Sequence, residues 1–278
     1  MQGGRRQVID AHCHLQDPRL RSSISKVFER AAAYGVTHIA TCSCNEAEWA
    51  EYETIQWPDR DVAAVLPAFG LHPWYAGDAS PSSYLMSLRR ILGVFPRSMV
   101  GEIGLCKSKR GKQVPIDVQE RAFVDQLHLA QELQRPVVIH CVGAHGRVLE
   151  QLQSVRVPHV VLHSFSGPLE MVRAFGKLPF PVYFSFTAKQ CLAPSEKQQA
   201  ILAAVPDHRI LLETDAPDQR PTDEALADHA VGAIPWNEPA VVSLAVDSVA
   251  VCRSTSPDDM ARRVRANAQA AFQLVDAE

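Results

Sequence analysis

The sequence predicts an α/β fold, a (β/α)8 TIM barrel that residues 1–278 form as a single domain. Eight short apolar runs alternate with amphipathic helix-like runs, which is the order of repeated βα units. Runs such as PVVIH and RILLE are nearly all apolar, as expected of parallel strands buried on both faces. A length of 278 residues fits one closed barrel, and an open doubly wound sheet is the alternative.

The predicted elements follow one another along the whole chain, without a repeat, a low-complexity tract or a linker that would divide it. The predicted strands are Gln7–His12, Thr37–Ser43, Val62–Leu71, Met99–Leu105, Pro136–Cys141, His159–Phe165, Val182–Phe186 and Ile210–Thr214. The predicted helices are Ser22–Tyr34, Glu46–Trp57, Ser82–Leu92, Val118–Leu133, His145–Leu152, Leu169–Phe175, Pro194–Ala204, Pro239–Cys252 and Pro257–Leu274.

The composition is typical of a globular protein, with 46% hydrophobic and 21% charged residues. A formal net charge of -3 gives no general attraction to nucleic acid or to anionic membranes, so a polyanion needs local cations or metal ions. No apolar run is long enough to span a membrane, and the start MQGGRRQV lacks the apolar segment of a signal peptide. We therefore expect a cytoplasmic protein with seven reduced cysteines, no membrane attachment, no obligate protein partner and a monomeric state.

Histidines and carboxylates stand at or near the carboxyl ends of the predicted strands. In QVIDAHCHL two histidines lie two residues apart, so both project from the same face of a strand. The full set is His12, His14, His72, Glu102, His140, His163 and Asp215. In a parallel barrel these strand ends converge on one face. Because buried polar groups are costly without a partner, the pattern predicts a metal site.

The ligand types indicate two metal ions. Without His72, the set contains four imidazoles and two carboxylates, which exceed the ligands of one catalytic zinc and fit two ions about 3.5–4 Å apart that share a carboxylate and a water. We assign His12, His14, Glu102 and Asp215 to one ion and Glu102, His140 and His163 to the other, with Glu102 as the bridge. Mixed nitrogen and oxygen ligands suit Zn, Mn, Fe or Co, and Mg suits them less well.

Three acidic residues receive further roles in this prediction. Asp215 would also accept the proton of the attacking water. Asp10 and Glu213 lie two residues before a predicted ligand and should point inward one layer deeper. Either orients a ligand histidine or belongs to a buried salt bridge, and the spacing leaves both alternatives open.

Several segments together carry a resemblance to a known family. In order between Val8 and Phe272 they are VIDAHCHL, GLHPW, VGEIGL, PVVIHC, HSFSG, ETDAP and NEPA, with QERAFVDQLHLAQEL as a helix segment. They resemble the TatD family of metal-dependent deoxyribonucleases, within the amidohydrolase-like barrels. The resemblance implies a dinuclear centre on the six ligands assigned above and hydrolysis of DNA phosphodiesters, often from 3′ ends. It also implies a substrate or phosphate contact from His72, which we count with Glu102 and Asp215 among the catalytic residues.

Two positions depart from the pattern of the family. Its members usually carry an acidic residue after GEIGL, often followed by an aromatic, whereas Cys106 and Lys107 stand here. Many carry Arg-Asp after the histidine of strand five, whereas Val142 and Gly143 stand here. Valine cannot replace an arginine that clamps phosphate oxygens.

A cationic segment follows strand four and is a candidate compensation for the missing arginine. Residues 107–112, KSKRGK, are named the basic loop here; their cations are Lys107, Lys109, Arg110 and Lys112. We expect this loop to lie at the mouth of the site and to contact substrate phosphates. The alternative is an ordinary solvated charged loop.

Other residues have weaker signals. His145 is predicted to contact substrate, with a surface histidine at a helix start as the alternative. Trp74 and Tyr75 either stack on a nucleobase or cover the rim of the barrel. Cys42 and Cys44 form a Cys-x-Cys without a second pair, so a thiolate metal site is the less favoured interpretation.

Three functions fit this pattern. The favoured one is a metal-dependent hydrolase of ester bonds, a deoxyribonuclease that cleaves single-stranded DNA or 3′ ends with a water activated by two metal ions. The second is a hydrolase of small-molecule amides, lactones or phosphoesters on the same barrel, which Val142 and Gly143 favour. The third is an adaptor that keeps its metals without catalysis.

Overall fold

Eight strands follow one another in chain order in one sheet, and the neighbouring pairs β1–β2, β3–β4, β4–β5, β5–β6 and β6–β7 are parallel. This topology confirms the predicted (β/α)8 barrel. The computed structural model describes residues 5–59, 62–227 and 235–274. The strands are β1 (Val8–Cys13), β2 (Val36–Ser43), β3 (Ala64–Phe69), β4 (Met99–Cys106), β5 (Val137–Val142), β6 (Val160–Leu162), β7 (Val182–Thr187) and β8 (Ile210–Glu213).

Helices fill the intervals between the strands and follow the last one. They are α1 (Pro18–Arg21), α2 (Ile24–Ala33), α3 (Glu46–Thr54), α4 (Pro81–Val94), α5 (Ile116–Leu133), α6 (His145–Gln153), α7 (Leu169–Phe175), α8 (Ala188–Leu192), α9 (Glu196–Ala204), α10 (Asp223–Leu226), α11 (Val242–Cys252) and α12 (Pro257–Ala271). The short helices α1, α8 and α10 were not predicted, because four or five residues are too few to show a helical period. In the described parts of the chain, no helix is long and apolar enough to cross a membrane.

The predicted boundaries hold to within a few residues, with three differences that bear on the site. The sixth strand, predicted as His159–Phe165, is only Val160–Leu162, so His163 is the first residue after it. The predicted third strand reached Leu71 but ends at Phe69. Strand β8 ends one residue before Thr214. In each case the predicted ligand or substrate residue lies in the segment that follows the strand.

The chain divides into two compact units, each described by itself below. The first unit contains the described residues of Met1–Thr41, Gln56–Leu66 and Ser185–Ala270, and the second those of Cys42–Ile55, Pro67–Phe184 and Ala271–Glu278. Strands β1 and β8 belong to the first unit, and β4, β5 and β6 belong to the second. The organisation as a single domain stays a prediction.

Strands β1, β4 and β8 are buried on both faces. Every residue of β1 and β8 is buried in the first unit, and every residue of β4 is buried in the second. This is the burial expected when helices cover both sides of a parallel sheet. Because such strands bury every side chain, a polar residue within them needs a partner.

Candidate metal centre

In the first unit, two histidines and one carboxylate converge where β1 and β8 end. His12 Nε2 lies 3.3 Å from His14 Nε2 and 3.6 Å from Asp215 Oδ1, and His14 Nε2 lies 3.5 Å from the same oxygen. Ligand atoms about 2.1 Å from a tetrahedral ion are about 3.4 Å apart. These three side chains, named the β1–β8 cluster here, therefore have the spacing of a metal site.

Hydrogen bonds between the ends of the two strands position this cluster. The Asp10 carboxylate accepts the backbone N–H of Thr214 at 2.9 Å and its hydroxyl at 2.6 Å. The N–H of Asp215 donates to the carbonyl of His12 at 2.9 Å, and the N–H of His14 donates to the carbonyl of Ala216 at 2.7 Å. Asp215 has a φ of 56°, in the left-handed region that non-glycine residues rarely adopt.

Asp10 therefore acts on the backbone beside the cluster. It also accepts the backbone N–H of His12 at 3.3 Å, and its side chain is wholly buried. Burial raises the pKa of Asp10 well above its usual range, although the hydrogen bonds from Thr214 oppose the shift. This geometry favours the predicted alternative in which Asp10 orients a ligand histidine. The contact is with the backbone of His12 rather than with its imidazole.

In the second unit, three imidazoles surround one buried carboxylate. Glu102 Oε1 lies 2.7 Å from His140 Nδ1, 2.8 Å from His163 Nε2 and 3.4 Å from His72 Nε2. The two ring nitrogens of His140 and His163 are 3.1 Å apart. We name these four residues the Glu102 cluster. Glu102 is 2% exposed, so its charge is compensated by these imidazoles rather than by water.

The glycines of VGEIGL allow β4 to carry Glu102 close to β5. Gly104 pairs with His140 across the two strands and has a φ of 143°. A Cβ at Gly104 would collide with the carbonyl oxygen of His140, and one at Gly101 would lie 2.7 Å from Cβ of Val138. Only glycine permits this close approach of the strands.

His72 differs from the other histidines in its hydrogen bonds. Its Nδ1 accepts the backbone N–H of Trp74 at 3.1 Å. In the neutral ring the proton then resides on Nε2, the atom that faces Glu102. His72 is thereby set up as a hydrogen-bond donor, which suits the predicted contact with a phosphate oxygen better than metal ligation.

Two thiols adjoin the Glu102 cluster. Cys44 Sγ lies 3.8 Å from Glu102 Oε2, a position that the Cys-x-Cys pattern did not predict. The sequence did offer one signal for this position: Cys44 directly follows β2, and residues at the ends of parallel strands lie at the same edge of the sheet. Burial raises the pKa of Cys106, but its hydrogen bond with His140, the charge of that ring and the hydrogen bonds with Ser108 together outweigh burial and lower the pKa to about 6. Burial alone would lower the pKa of His140, but the hydrogen bonds with Cys106 and Glu102 outweigh this effect and leave the pKa raised.

The predicted substrate residues are all in the second unit. The four cations of the basic loop are exposed. A side chain at Gly143 would meet Cβ of Lys107 at 3.4 Å, so the lysine stem lies beside this glycine. His145 begins α6 and packs its ring against Phe165, with centroids 5.6 Å apart. Whether His145 contacts substrate stays a prediction.

Sequence reasoning missed two buried glutamines on α5. The Gln119 oxygen accepts the N–H of Cys106 at 2.8 Å, and its amide donates to the carbonyls of Gly111 at 2.8 Å and Val114 at 2.9 Å. Gln126 accepts the N–H of Leu71 at 2.6 Å and donates to its carbonyl at 3.1 Å. A spacing of seven residues places both on one face of the helix, but a polar residue on an amphipathic helix gives no sign that it is buried.

These donor sets fit divalent metal ions and define a class. Imidazole and carboxylate donors clustered in and directly after the strands of a (β/α)8 barrel are typical of metal-dependent hydrolases of this architecture. The chain belongs to the TatD family: the family profile described as TatD related DNase matches residues 9–273. This confirms the family that the sequence motifs predicted.

Individual relatives match over nearly the whole chain. The 3'-5' ssDNA/RNA exonuclease TatD of Pantoea vagans (strain C9-1) is 29% identical over 283 residues, which cover 96% of this chain and 100% of the relative. Deoxyribonuclease TATDN3 of Homo sapiens is 26% identical over 278 residues, 95% of this chain and 94% of that protein. The crystal structure of YjjV, a TatD homologue from Escherichia coli K12, matches with a TM-score of 0.81 and 25% identity, covering 97% of this chain and 99% of that one.

Proposed function

We propose that this chain is a divalent-metal-dependent nuclease that hydrolyses phosphodiester bonds of single-stranded DNA from the 3′ end. The observation that carries the proposal is the Glu102 cluster, in which one buried carboxylate oxygen faces three imidazoles. A scaffold protein has no use for so costly a group. The relatives named as single-strand exonuclease and as deoxyribonuclease support the choice of substrate.

In this proposal each of the two clusters holds one divalent ion. His12, His14 and Asp215 would hold one ion, and Glu102, His140 and His163 the other. That Glu102 also bridges the two ions stays a prediction of the sequence. Divalent ions bound there would supply Lewis acidity and a water of lowered pKa. Zn, Mn, Fe or Co suit these donors better than Mg.

The protein groups have distinct tasks around the scissile bond. Asp215 would accept the proton of the attacking water, because its carboxylate is partly exposed and is positioned by the backbone hydrogen bonds after β8. His72 would donate from Nε2 to a phosphate oxygen, since its Nδ1 is already an acceptor. Lys107 and the other cations of the basic loop would attract the phosphate backbone and partly replace the missing arginine.

The proposal includes a monomer that works in the cytoplasm without membrane or obligate protein partner. The net charge of -3 gives no attraction to an anionic membrane surface. The cysteines of the described residues are free thiols, which is usual for a protein of a reducing compartment. Gel filtration with light scattering measures the oligomeric state directly, and a dimer would contradict the monomer.

The test is a metal-reconstituted assay on a 3′-labelled and a 5′-labelled single strand. The wild type should shorten the strand from its 3′ end, whereas Glu102→Ala and Asp215→Asn should be inactive or nearly so at equal folded concentration. Wild-type activity in both variants would overturn the mechanism. A wild type that holds two ions per chain but leaves DNA intact would overturn the substrate.

A second function has one specific observation in its favour. Val142 and Gly143 stand where the resemblance to the family implies Arg-Asp, and Gly143 has a φ of 67° and no side chain to offer. A small-molecule phosphoester, amide or lactone needs fewer phosphate contacts than DNA. Turnover of bis(p-nitrophenyl) phosphate, p-nitrophenyl acetate and a lactone panel by the same preparation would reveal this activity if DNA is not cut.

A further inference from the structure

The basic loop carries charge that the protein itself does not compensate. Within the described ranges, none of its four cations forms an ion pair with a carboxylate. Three other surface arginines of the second unit do have such partners at 2.6 Å: Arg89 with Glu132, Arg90 with Glu53 and Arg147 with Glu120. These four cations within six residues form a local positive patch that can attract an anionic ligand.

One of these cations is fixed against aromatic rings. The guanidinium carbon of Arg110 lies 4.1 Å from the centroid of the Trp74 ring and 5.7 Å from that of Tyr75. Its Nη2 donates to the Tyr75 hydroxyl at 3.3 Å. One face of the planar guanidinium therefore rests on the indole, and because Arg110 is exposed its other face is open to solvent. An arginine plane held in this way is a surface on which an unpaired base stacks.

The loops on both sides of this stack are held rigidly. The side chain of Gln119 hydrogen-bonds to the backbone of Cys106 and Val114. The side chain of Gln126 hydrogen-bonds to the backbone of Leu71, three residues before Trp74. Both glutamines are buried and belong to the same helix. A ligand that binds the stack therefore loses little loop freedom, and this preorganisation favours affinity.

The stack adjoins the Glu102 cluster. The Trp74 ring centroid is 4.4 Å from that of His72 and 5.9 Å from that of His140. The indole N–H donates to Cys106 Sγ at 3.3 Å, which fixes the plane of the ring. A base stacked on Arg110 would thus lie next to the groups proposed to act on its phosphodiester.

We propose that Trp74, Tyr75 and Arg110 form a stacking platform for the unpaired nucleobase at the 3′ end of the substrate strand. The proposal rests on the nuclease function and adds to it the group that recognises the terminal nucleotide. The base stacks on the guanidinium with the indole beneath it, and the N–H groups of Arg110 remain directed at the edge of the stack for a phosphate oxygen. A paired end cannot use this platform, since its base is already stacked in the duplex.

The experiment compares two oligonucleotides that differ only in the terminal base. One is a fluorescein-labelled dT octamer with a phosphorothioate at its 3′-terminal linkage, and the other is the same strand with an abasic 3′-terminal sugar. Anisotropy with the manganese-loaded protein gives the Kd of each. The wild type should bind the complete strand about tenfold to a hundredfold more tightly than the abasic strand.

Three variants separate stacking from charge. Arg110→Lys keeps the cation and removes the plane, and Trp74→Leu removes the support beneath it. Both should bring the ratio of the two Kd values close to one. Lys112→Ala is the matched control, because it removes a cation from the same loop; it should weaken both strands and preserve the ratio. The platform would be overturned if Arg110→Lys kept the wild-type ratio of the two Kd values. A ratio of one in the wild type would overturn it as well.

Hydrolysis of bis(p-nitrophenyl) phosphate distinguishes failure of the platform from failure of the nuclease. A wild type that cleaves this ester and DNA but shows no base dependence refutes the platform alone. A wild type that shows base-dependent binding without any cleavage supports the platform and refutes the nuclease. Thermal unfolding of each variant verifies that a lost ratio does not reflect a lost fold.

Discussion

The two ligand clusters hold their donors in different ways. In the β1–β8 cluster the ligand atoms are 3.3 to 3.6 Å apart, close to the spacing around a tetrahedral ion, and backbone hydrogen bonds of the two strands set that spacing. In the Glu102 cluster the distances from Oε1 to His140 and His163 are 2.7 and 2.8 Å, so the side chains hydrogen-bond one another. The first cluster is set by the backbone, and the second depends on one carboxylate.

The carboxylates of the two clusters, Asp215 and Glu102, also differ in their exposure to solvent. The side chain of Asp215 is 15% exposed, whereas that of Glu102 is 2% exposed. A partly exposed carboxylate can exchange a proton with water, and a buried one surrounded by imidazoles serves as a fixed charge. The difference teaches that loss of Glu102 should dismantle a binding site, whereas loss of the Asp215 charge should impair a chemical step.

The largest effect is expected from Glu102→Gln. The amide keeps the shape but removes the charge shared by three imidazoles, so we expect kcat/KM to fall at least about a thousandfold. Metal analysis after reconstitution should show fewer ions per chain than in the wild type. Glu238→Gln is the matched control, since Glu238 is also buried but pairs with Arg30; it should lower thermal stability while metal content stays unchanged. Full metal content in Glu102→Gln would contradict the assigned role.

Asp215→Asn should separate binding from chemistry. We expect kcat to fall about a hundredfold to ten-thousandfold, the range for loss of a positioned base, with KM little changed. Metal content should remain higher than in Glu102→Gln. The control is Asp218→Asn, an exposed carboxylate that pairs with Arg19 at 2.8 Å and should leave kcat unaltered. Equal loss of metal in the Asp215 and Glu102 variants would erase the distinction between the clusters.

The residues that form the two clusters were all candidates from the sequence, but only part of what surrounds them was. Strand-end histidines are readable because an apolar run that ends in a polar residue locates that residue at the edge of a buried sheet, as in PVVIH before Cys141. The position of Cys44 beside Glu102 and the burial of Gln119 depend on how turns and helices pack. Such interactions join residues 13 to 58 positions apart and leave no period in the chain. The stack of Arg110 on Trp74 is of the same kind.

Asp10→Ala tests whether the backbone sets the β1–β8 cluster. Without the carboxylate, the N–H and hydroxyl of Thr214 lose their acceptor, so the turn that carries Asp215 should loosen. We expect metal affinity to fall about tenfold to a hundredfold and the free energy of unfolding to fall by about 1–3 kcal/mol. Thr214→Val removes only the hydroxyl donor and should have the smaller effect on both. Competition with a metal indicator dye gives the affinity, and unaltered affinity in Asp10→Ala would show that the cluster does not need this support.

The smallest effect on chemistry is expected from the basic loop, which flanks the Glu102 cluster and contains no predicted metal ligand. Replacement of Lys107, Lys109, Arg110 and Lys112 by alanine should leave kcat near that of the wild type and raise KM for an oligonucleotide at least about tenfold at low salt. For every phosphate that the loop no longer neutralises, the slope of log KM against log salt should decrease by about 0.7. Because the four cations have no carboxylate partner within the described residues, their removal should not destabilise the fold.

The matched control for the loop variant removes two cations that the protein does compensate. Arg89 and Arg90 are paired with Glu132 and Glu53, so their replacement by alanine should alter neither KM nor the salt slope. Titration of KM against salt concentration in the two variants isolates the loop from the general charge of the surface. An unchanged salt slope in the loop variant would mean that the loop is solvated surface, and that the phosphate backbone is held entirely by the residues of the clusters.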